Sequence, residues 1–251
     1  MLSEKTEAIV LRAIPWSETS LVVTLWTRDF GKLSAIAKGA RRLRSPFESA
    51  LDLLAHSSVV FLAKAGDVLD LLTEAKLMRR FRSSQQNLLN LYCGYYVAEL
   101  LLVMIEEGSA MVELFDLTQR TLEDLDATDL PGEVLLRFEL NTLRLLGHMP
   151  SLDACVGCGE RVEVLESVAF GIESGGVLCK ACLPGQRSVV RLKKATLEYL
   201  TGMLQNPWDT TPLTRITPPL RAEIRGLMNR IFMTLQNRQF DLHRFLEGLA
   251  R

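Results

Sequence analysis

Four cysteines in two closely spaced pairs are the residues whose type and spacing point most directly to chemistry. They are Cys155 and Cys158 in CVGC, and Cys179 and Cys182 in CKAC, with twenty residues between the two pairs. Each pair can bend back so that two thiolates face one ion, and this spacing predicts a tetrahedral zinc site. Because four thiolates would fill the coordination sphere and leave no position for a reactive water, we expect the zinc to be structural.

Two disulfides or four unliganded thiols are the alternatives to a metal at these cysteines. Disulfides are uncommon in the cytoplasm, and cysteines that only fill a core rarely occur as two such pairs. The segment 159–178 contains Gly171, Gly175 and Gly176 and is interpreted as a loop too short for a core of its own, which zinc would stabilise. The fifth cysteine, Cys93, stands alone in an apolar helical pattern and is interpreted as a core residue.

Positive charge is concentrated in the first third of a chain whose formal net charge is −1. Residues 1–82 carry 13 Lys/Arg and 9 Asp/Glu, giving +4, whereas the other 169 residues carry 16 and 21, giving −5. Two clusters, KGARRLRSPF and KLMRRFR, hold most of these cations. The candidate phosphate-binding residues are Lys32, Lys38, Arg41, Arg42, Arg44, Arg79, Arg80 and Arg82. Such a surface would bind a nucleic-acid backbone through counterion release, although a merely solvated basic loop is the alternative.

Aromatic residues in the same part of the chain could add contacts to bases. Trp16, Trp26, Phe30, Phe47 and Phe81 are candidate platforms on which single-stranded bases would stack. In a small barrel, however, aromatic side chains are more often needed in the core, so the core interpretation is preferred for each of them.

Catalytic motifs are absent from the sequence. It contains no P-loop, no G-x-S-x-G and no G-x-G-x-x-G motif, and its three histidines fall in no nucleophile or metal motif. We therefore expect a protein that is not an enzyme.

The elements that would position these residues change character near residue 80. Strands are predicted at 6–14, 19–27, 32–37, 57–64 and 68–75, with a tight turn at Ala65-Gly66-Asp67 between the last two. Five short strands with a longer connection after the third predict an OB-fold barrel over residues 1–80.

Helical patterns dominate the rest of the chain. They predict helices at 84–106, 110–125, 133–147, 193–204 and 219–237. The predicted fold is therefore α+β and multi-domain: a five-stranded OB-fold barrel, then an α-helical domain at 81–251 with a four-cysteine zinc-binding module inserted at about 150–186.

A membrane location is not favoured by the sequence. Residues 88–105 approach the length of a membrane span, but they include Asn90 and Glu99, which favours a buried core helix. The first residues also lack the basic start and apolar run of a signal peptide, so a cytoplasmic protein is expected.

Several longer segments share the pattern of one family. EAIVLRAIPWSETSLVVTLWT, FGKLSAIAKGARRLRSPF, YYVAELL, LRFELNTLRLLGHMPSLDAC and FGIESGGVLCKAC occur in this order. In combination they resemble the bacterial RecO family of DNA-repair recombination mediators. The match is weakest at the C-terminal end, where the family's basic RxxKSxxFL-like sequence is replaced by NRQFDLHRFLEG.

The resemblance implies a function as well as a fold. It implies a non-enzymatic protein of the bacterial nucleoid that binds single- and double-stranded DNA and anneals complementary strands. It also implies a RecR partner, with which the protein would help load RecA onto strands coated by single-strand-binding protein. Two alternatives stay open: a zinc-ribbon/OB factor of translation or transcription that binds RNA, and a protein-only scaffold whose basic loop grips an acidic peptide.

Overall fold

A computed structural model of the chain describes residues 2–64, 69–82, 87–205, 213 and 215–236. The chain divides into two compact units, Met1–Pro131 and Gly132–Arg251. This grouping places the first two helices with the barrel, whereas the sequence predicted a domain boundary after residue 80. The predicted turn Ala65-Gly66-Asp67 and the C-terminal sequence NRQFDLHRFLEG lie outside the described residues.

The first unit is built on a closed barrel of five strands. These are β1 (Ser3–Pro15), β2 (Leu21–Thr27), β3 (Gly31–Ala37), β4 (His56–Leu62) and β5 (Asp70–Arg79). The strand order is β1-β2-β3-β5-β4, with β3 and β5 parallel and the other neighbours antiparallel. The predicted five-stranded barrel is confirmed.

Alternating side chains of the strands fill the barrel. In β3, Leu33 and Ala35 are buried while Ser34 and Ile36 are half-buried, as expected when only one face of a strand points inward. The long connection between β3 and β4 also contributes to this core. It carries a 3₁₀ helix, Glu48–Leu51, and places Phe47 and Leu51 among the buried residues of the barrel.

Two helices complete the first unit, α1 (Leu88–Met104) and α2 (Val112–Ala127), and α1 packs against both β1 and α2. The side chain of Asn87 caps α1 by accepting a hydrogen bond from the backbone N–H of Leu89. Cys93 is fully buried, as predicted. No helix in the described part of the chain is long and apolar enough to cross a membrane.

In the residues that the structure describes, the second unit combines three helices with a small sheet. Its elements are α3 (Pro131–Leu145), β6 (Ser167–Gly171), β7 (Gly176–Leu178), β8 (Val189–Lys193), α4 (Lys194–Gln205) and α5 (Pro218–Gln236). As predicted, α3 begins near a proline and ends before Gly147, whose φ of +75° belongs to a helix-ending glycine. The helical domain predicted from the sequence is confirmed, and α4 packs against both β8 and α5.

The small sheet corrects the interpretation of 159–178 as a loop without a core. Strands β6 and β7 lie inside this segment and pair in an antiparallel hairpin, and β8 joins the other edge of β6. Phe170 and Val177 are fully buried. Of the glycines that suggested a loop, Gly171 and Gly176 pair with each other at the end of the hairpin, and Gly175 lies in its turn with a φ of +73° that glycine tolerates without strain.

Two carboxylates of α3 pair with arginines of α5 inside the second unit. The guanidinium of Arg225 donates to Glu139, and that of Arg221 donates to Oε1 of Glu133 at 2.9 Å. Neither carboxylate is more than 2 % exposed in its side chain. The side chains of Arg221 and Arg225 are 18 % and 8 % exposed, so both arginines are largely buried as well.

Candidate metal centre and nucleic-acid interface

The four cysteine sulfurs converge on one point of the second unit. The Sγ atoms of Cys155, Cys158, Cys179 and Cys182 all lie within 4.8 Å of one another, and those of Cys158 and Cys179 are 3.9 Å apart. A tetrahedral ion with sulfurs at about 2.3 Å would hold them about 3.8 Å apart. This four-cysteine cluster is therefore the right size for one metal ion with four thiolate ligands.

Backbone hydrogen bonds hold the two cysteine pairs in this arrangement. In the first pair, the N–H of Gly159 donates to the carbonyl of Cys155 at 2.8 Å and closes the turn. The turn is then attached to the sheet, because the N–H of Val156 donates to the carbonyl of Val177 in β7 at 3.0 Å. Since Cys179 directly follows β7, the hairpin brings the second pair to the first.

The electrostatics of the cluster favour a cation. The N–H groups of Cys179 and Gly157 donate to Sγ of Cys155 at 3.3 and 3.4 Å, and these hydrogen bonds lower the pKa of Cys155 to about 6. Hydrogen bonding with the side chains of Cys179 and Cys158 instead raises the pKa of Cys182 to about 12. Cys155 thus ionises readily, whereas Cys182 keeps its proton. A bound divalent cation would compensate the negative charges and allow all four sulfurs to ionise together.

The second candidate site is the basic loop, residues 38–47, which leads from β3 toward the 3₁₀ helix. Arg41 fixes this loop to the connection between β1 and β2. Its backbone N–H donates to the carbonyl of Thr19 at 3.0 Å, and its Nη1 donates to the carbonyl of Ser17 at 2.8 Å. A turn follows in which the N–H of Arg42 donates to the carbonyl of Gly39 at 3.1 Å.

The basic loop presents its charges to solvent. Lys38, Arg41, Arg42 and Arg44 are all exposed. Within the part of the chain that the structure describes, Lys38, Arg42 and Arg44 form no ion pair. Their charges are therefore available to an anion, whereas Arg41 also uses its donors to hold the loop.

The side chains of two other predicted cations, Lys32 and Arg79, have partners inside the first unit. Nζ of Lys32 donates to the carbonyl of Leu102 in α1 at 2.7 Å, and burial lowers the pKa of this lysine. Arg79 forms an ion pair of 2.6 Å with Asp126 of α2. The backbone N–H of Arg82 donates to the same carboxylate at 2.8 Å.

Arg80 links the second cluster to the connection that carries the basic loop. Its guanidinium donates to the hydroxyl of Ser49 in the 3₁₀ helix. The exposed arginines Arg80 and Arg82 thus extend from the end of β5 toward the β3–β4 connection.

The five candidate aromatic platforms differ in how far the structure exposes them. Trp26 and Phe47 are buried, Phe30 packs edge-to-face on Phe61 with ring centroids 5.3 Å apart, and Phe81 is half-buried. Of the five candidates, only Trp16 is exposed, with 66 % of its surface accessible.

Comparison with known proteins assigns both parts of the chain to one family. Residues 1–81 match the family model described as Recombination protein O N terminal, and residues 85–235 match the one described as Recombination protein O C terminal. The chain belongs to the RecO family.

Curated RecO relatives align along nearly their whole length. The DNA repair protein RecO of Rhodopirellula baltica is 38 % identical, with 95 % of this chain and 97 % of the relative covered. The RecO proteins of Anaeromyxobacter sp. strain K and Symbiobacterium thermophilum are 33 % and 31 % identical, with 98 % and 97 % of this chain and 96 % of each relative covered. The resemblance found from the sequence motifs is confirmed.

Sequence motifs do not reveal every residue that supports the two sites of this RecO-family chain. Ser17 and Thr19 hold the basic loop through their carbonyl oxygens, which no sequence motif reveals. Gly157 is needed because a Cβ at its position would lie 2.9 Å from Cβ of Cys182. Its place between the two cysteines of one pair marks it as a turn residue, whereas its close approach to Cys182 is visible only in the structure.

Proposed function

We propose that this RecO-family protein is a non-enzymatic recombination mediator that binds single- and double-stranded DNA and anneals complementary strands. With a RecR partner, it helps load RecA onto DNA coated by single-strand-binding protein, acting in the bacterial cytoplasm at the nucleoid. Family membership supports this role. The observation that carries the DNA-binding part is the exposed charge of Lys38, Arg42 and Arg44, which have no ion-pair partner among the described residues, on a loop fixed to an OB-fold barrel.

The proposed phosphate contacts differ in strength among the predicted cations. Lys38, Arg42 and Arg44 contact the DNA backbone directly, and Arg41 orients the loop that carries them. Arg80 and Arg82 continue the positive surface from the end of β5. Lys32 and Arg79 add positive charge to the same unit, but they contribute less because Leu102 and Asp126 already accept their hydrogen bonds.

We also propose that the cofactor is one structural Zn²⁺, held by Cys155, Cys158, Cys179 and Cys182. Four thiolates within one tetrahedral cluster match the ligand set and geometry that zinc prefers. The ion would cross-link the turn of the first pair to the hairpin of β6 and β7. With all four positions filled by sulfur, its contribution is to the stability of this part of the second unit.

The DNA-binding proposal is tested by removing the three exposed loop charges together. In the variant Lys38→Gln/Arg42→Gln/Arg44→Gln, we expect weaker binding and a weaker dependence of affinity on salt. Each lost phosphate contact should reduce the slope of log K against log salt by about 0.7 on single strands and about 0.9 on duplex DNA. Fluorescence anisotropy with labelled oligonucleotides over a series of salt concentrations measures both quantities.

A matched control removes the same charge from the second unit. Lys180, Arg187 and Arg191 are exposed there, and their triple glutamine variant should leave both affinity and salt slope close to the wild-type values. Unchanged affinity and slope in the loop variant, or an equal loss in the control, would contradict the assignment. Tighter binding to RNA than to DNA of the same sequence would favour a translation or transcription factor, and no binding to either would favour a protein scaffold.

A further inference from the structure

Two large apolar side chains stand exposed beside the cations of the basic loop. Leu43 is fully exposed although it lies between Arg42 and Arg44, and Trp16 is 66 % exposed at the end of β1. Single exposed apolar residues are common on protein surfaces. Two that the fold brings to the same basic region are less ordinary and suggest a contact surface.

Backbone hydrogen bonds bring the two side chains into the same region. The carbonyl of Ser17, the residue after Trp16, accepts from the guanidinium of Arg41, two residues before Leu43. The N–H of Trp16 itself donates to the carbonyl of Ser20 at 3.0 Å, so a closed turn fixes the backbone that carries the indole. The fold thus positions Trp16 and Leu43 near each other on an anchored part of the barrel.

An apolar row on the outside of the barrel leads to this pair. Ile14, Val22 and Ile36 are directly opposite one another on β1, β2 and β3. Val22 and Ile36 are half-buried and Ile14 is 39 % exposed, so the row is accessible from outside. Ile14 precedes Trp16 by two residues, so the row ends close to the indole along the chain.

The order of side chains in the loop matches the chemistry of a nucleic-acid strand. In a strand, charged phosphates alternate with apolar base faces, and each base lies close to its own phosphate. Arg42 and Arg44 with Leu43 between them present the complementary order of cation, apolar group and cation. A purely apolar protein partner would leave the two guanidinium groups without counter-charges, whereas a strand with unpaired bases supplies both phosphates and apolar base faces.

We propose that Trp16 and Leu43 are base-contacting residues that make this chain select DNA with unpaired bases, most strongly at junctions between single and double strands. The indole of Trp16 stacks on an unpaired base, and Leu43 inserts beside the first base pair of the junction, as apolar wedges do in other DNA-binding proteins. Arg42 and Arg44 hold the flanking phosphates. The inference rests on the proposed DNA binding and adds to it the recognition of bases.

Separating base contact from phosphate contact tests the role of Trp16. The probes are oligothymidine and an oligonucleotide of equal length made of abasic sugar phosphates, which carries the same charge without bases. We expect the wild-type protein to bind oligothymidine about fivefold or more tightly than the abasic strand. Trp16→Ala should bring this ratio close to one with an unchanged salt slope, whereas Trp16→Phe, which still stacks, should retain most of it.

The role of Leu43 is tested at a fork, with 2-aminopurine as the first paired base. Unstacking of this base raises its fluorescence, so wild-type protein should increase the signal, Leu43→Met should keep most of the increase, and Leu43→Ala should lose it. If Trp16→Ala keeps the preference for oligothymidine over the abasic strand, the proposal for Trp16 is overturned. If Leu43→Ala keeps the increase in 2-aminopurine fluorescence, the proposal for Leu43 is overturned.

The charge variant keeps this proposal distinguishable from the DNA-binding proposal. Loss of Lys38, Arg42 and Arg44 should weaken binding to oligothymidine and to the abasic strand by the same factor, because both carry the same phosphates. If this loss is seen while Trp16→Ala and Leu43→Ala behave as wild type, DNA binding stands and base recognition fails, and a protein surface becomes the better explanation of the apolar pair. If wild-type protein binds neither strand, both proposals fail.

Discussion

Replacing Gly157 with alanine should weaken metal binding at the four-cysteine cluster. An alanine Cβ at this position would lie 2.9 Å from Cβ of Cys182 and 3.0 Å from its Sγ. Ordinary van der Waals contact begins at 3.4 Å, so Cys182 would have to retreat by about half an ångström. Metal–sulfur distances in a well-formed site vary by only about 0.2 Å, so a displacement of this size disturbs the ligand itself.

The expected loss of zinc affinity can be estimated from other sites in which a metal ligand is displaced but not removed. Loss of the groups that orient a metal ligand costs about 10- to 100-fold in metal affinity. We expect the dissociation constant of Gly157→Ala for zinc to rise by a factor in this range, which corresponds to about 1.4–2.8 kcal/mol. All four cysteines remain, so the variant should still bind one ion per chain.

Gly159→Asn, directly after the same cysteine pair, is the matched control. Among the described residues, no atom lies within 4 Å of a Cβ built on Gly159, so there is room for a side chain. Its φ of +78° belongs to the left-handed region, which asparagine adopts more readily than most residues. We expect Gly159→Asn to bind zinc with nearly wild-type affinity although it adds the larger side chain.

The assay has two steps. Elemental analysis of protein purified under reducing conditions should find one zinc per chain, and competition with a chromophoric zinc chelator then gives the relative affinities of the three proteins. Wild-type affinity in Gly157→Ala, or an equal loss in Gly159→Asn, would refute the steric reasoning. A wild-type protein that contains no metal after reducing purification would overturn the zinc proposal itself.

Two further predictions concern stability and are measured by urea unfolding. Arg225→Met alone should lower the free energy of unfolding by about 3–5 kcal/mol, because it leaves the buried Glu139 carboxylate without its arginine. The double variant Glu139→Leu/Arg225→Met should lose much less. Additive losses in this double-mutant cycle would contradict the prediction. Gly31→Ala should destabilise the first unit more than Gly108→Ala. Both glycines have a φ near +70–77°, so both alanines would be strained in φ. Among the described residues, however, only the Cβ added at Gly31 would meet backbone, 2.4 Å from the carbonyl of Ser109. Equal losses would show that strain in φ, not the close approach, determines the cost.

Periodic and spaced patterns made much of the fold predictable from the sequence. The barrel strands carry dense β-branched and aromatic residues, and α2, α3, α4 and α5 carry apolar residues at helical spacing, so local sequence and tertiary structure agree in these elements. The four-cysteine cluster was predictable for another reason, because C-x2-C pairs encode their own turn. In each case the information lies within a short stretch of chain.

The features that sequence reasoning missed depend on contacts between distant residues. Strands β6 and β7 form in a glycine-rich segment because Phe170 and Val177 become buried there, which the composition of the segment does not indicate. The ion pair of Arg79 likewise reaches Asp126, 47 residues away. A count of charges cannot distinguish such an arginine from one that faces solvent.

The basic loop shows why the same limit applies to a functional site. Arg41, Arg42 and Arg44 are equivalent in a charge count, but of the three it is Arg41 that donates to the carbonyl groups of Ser17 and Thr19. An Arg41 variant would therefore alter loop conformation and charge together. Substitutions at Arg42 and Arg44 change the charge while leaving the anchor in place, and they therefore separate electrostatic binding of DNA from the geometry that presents it.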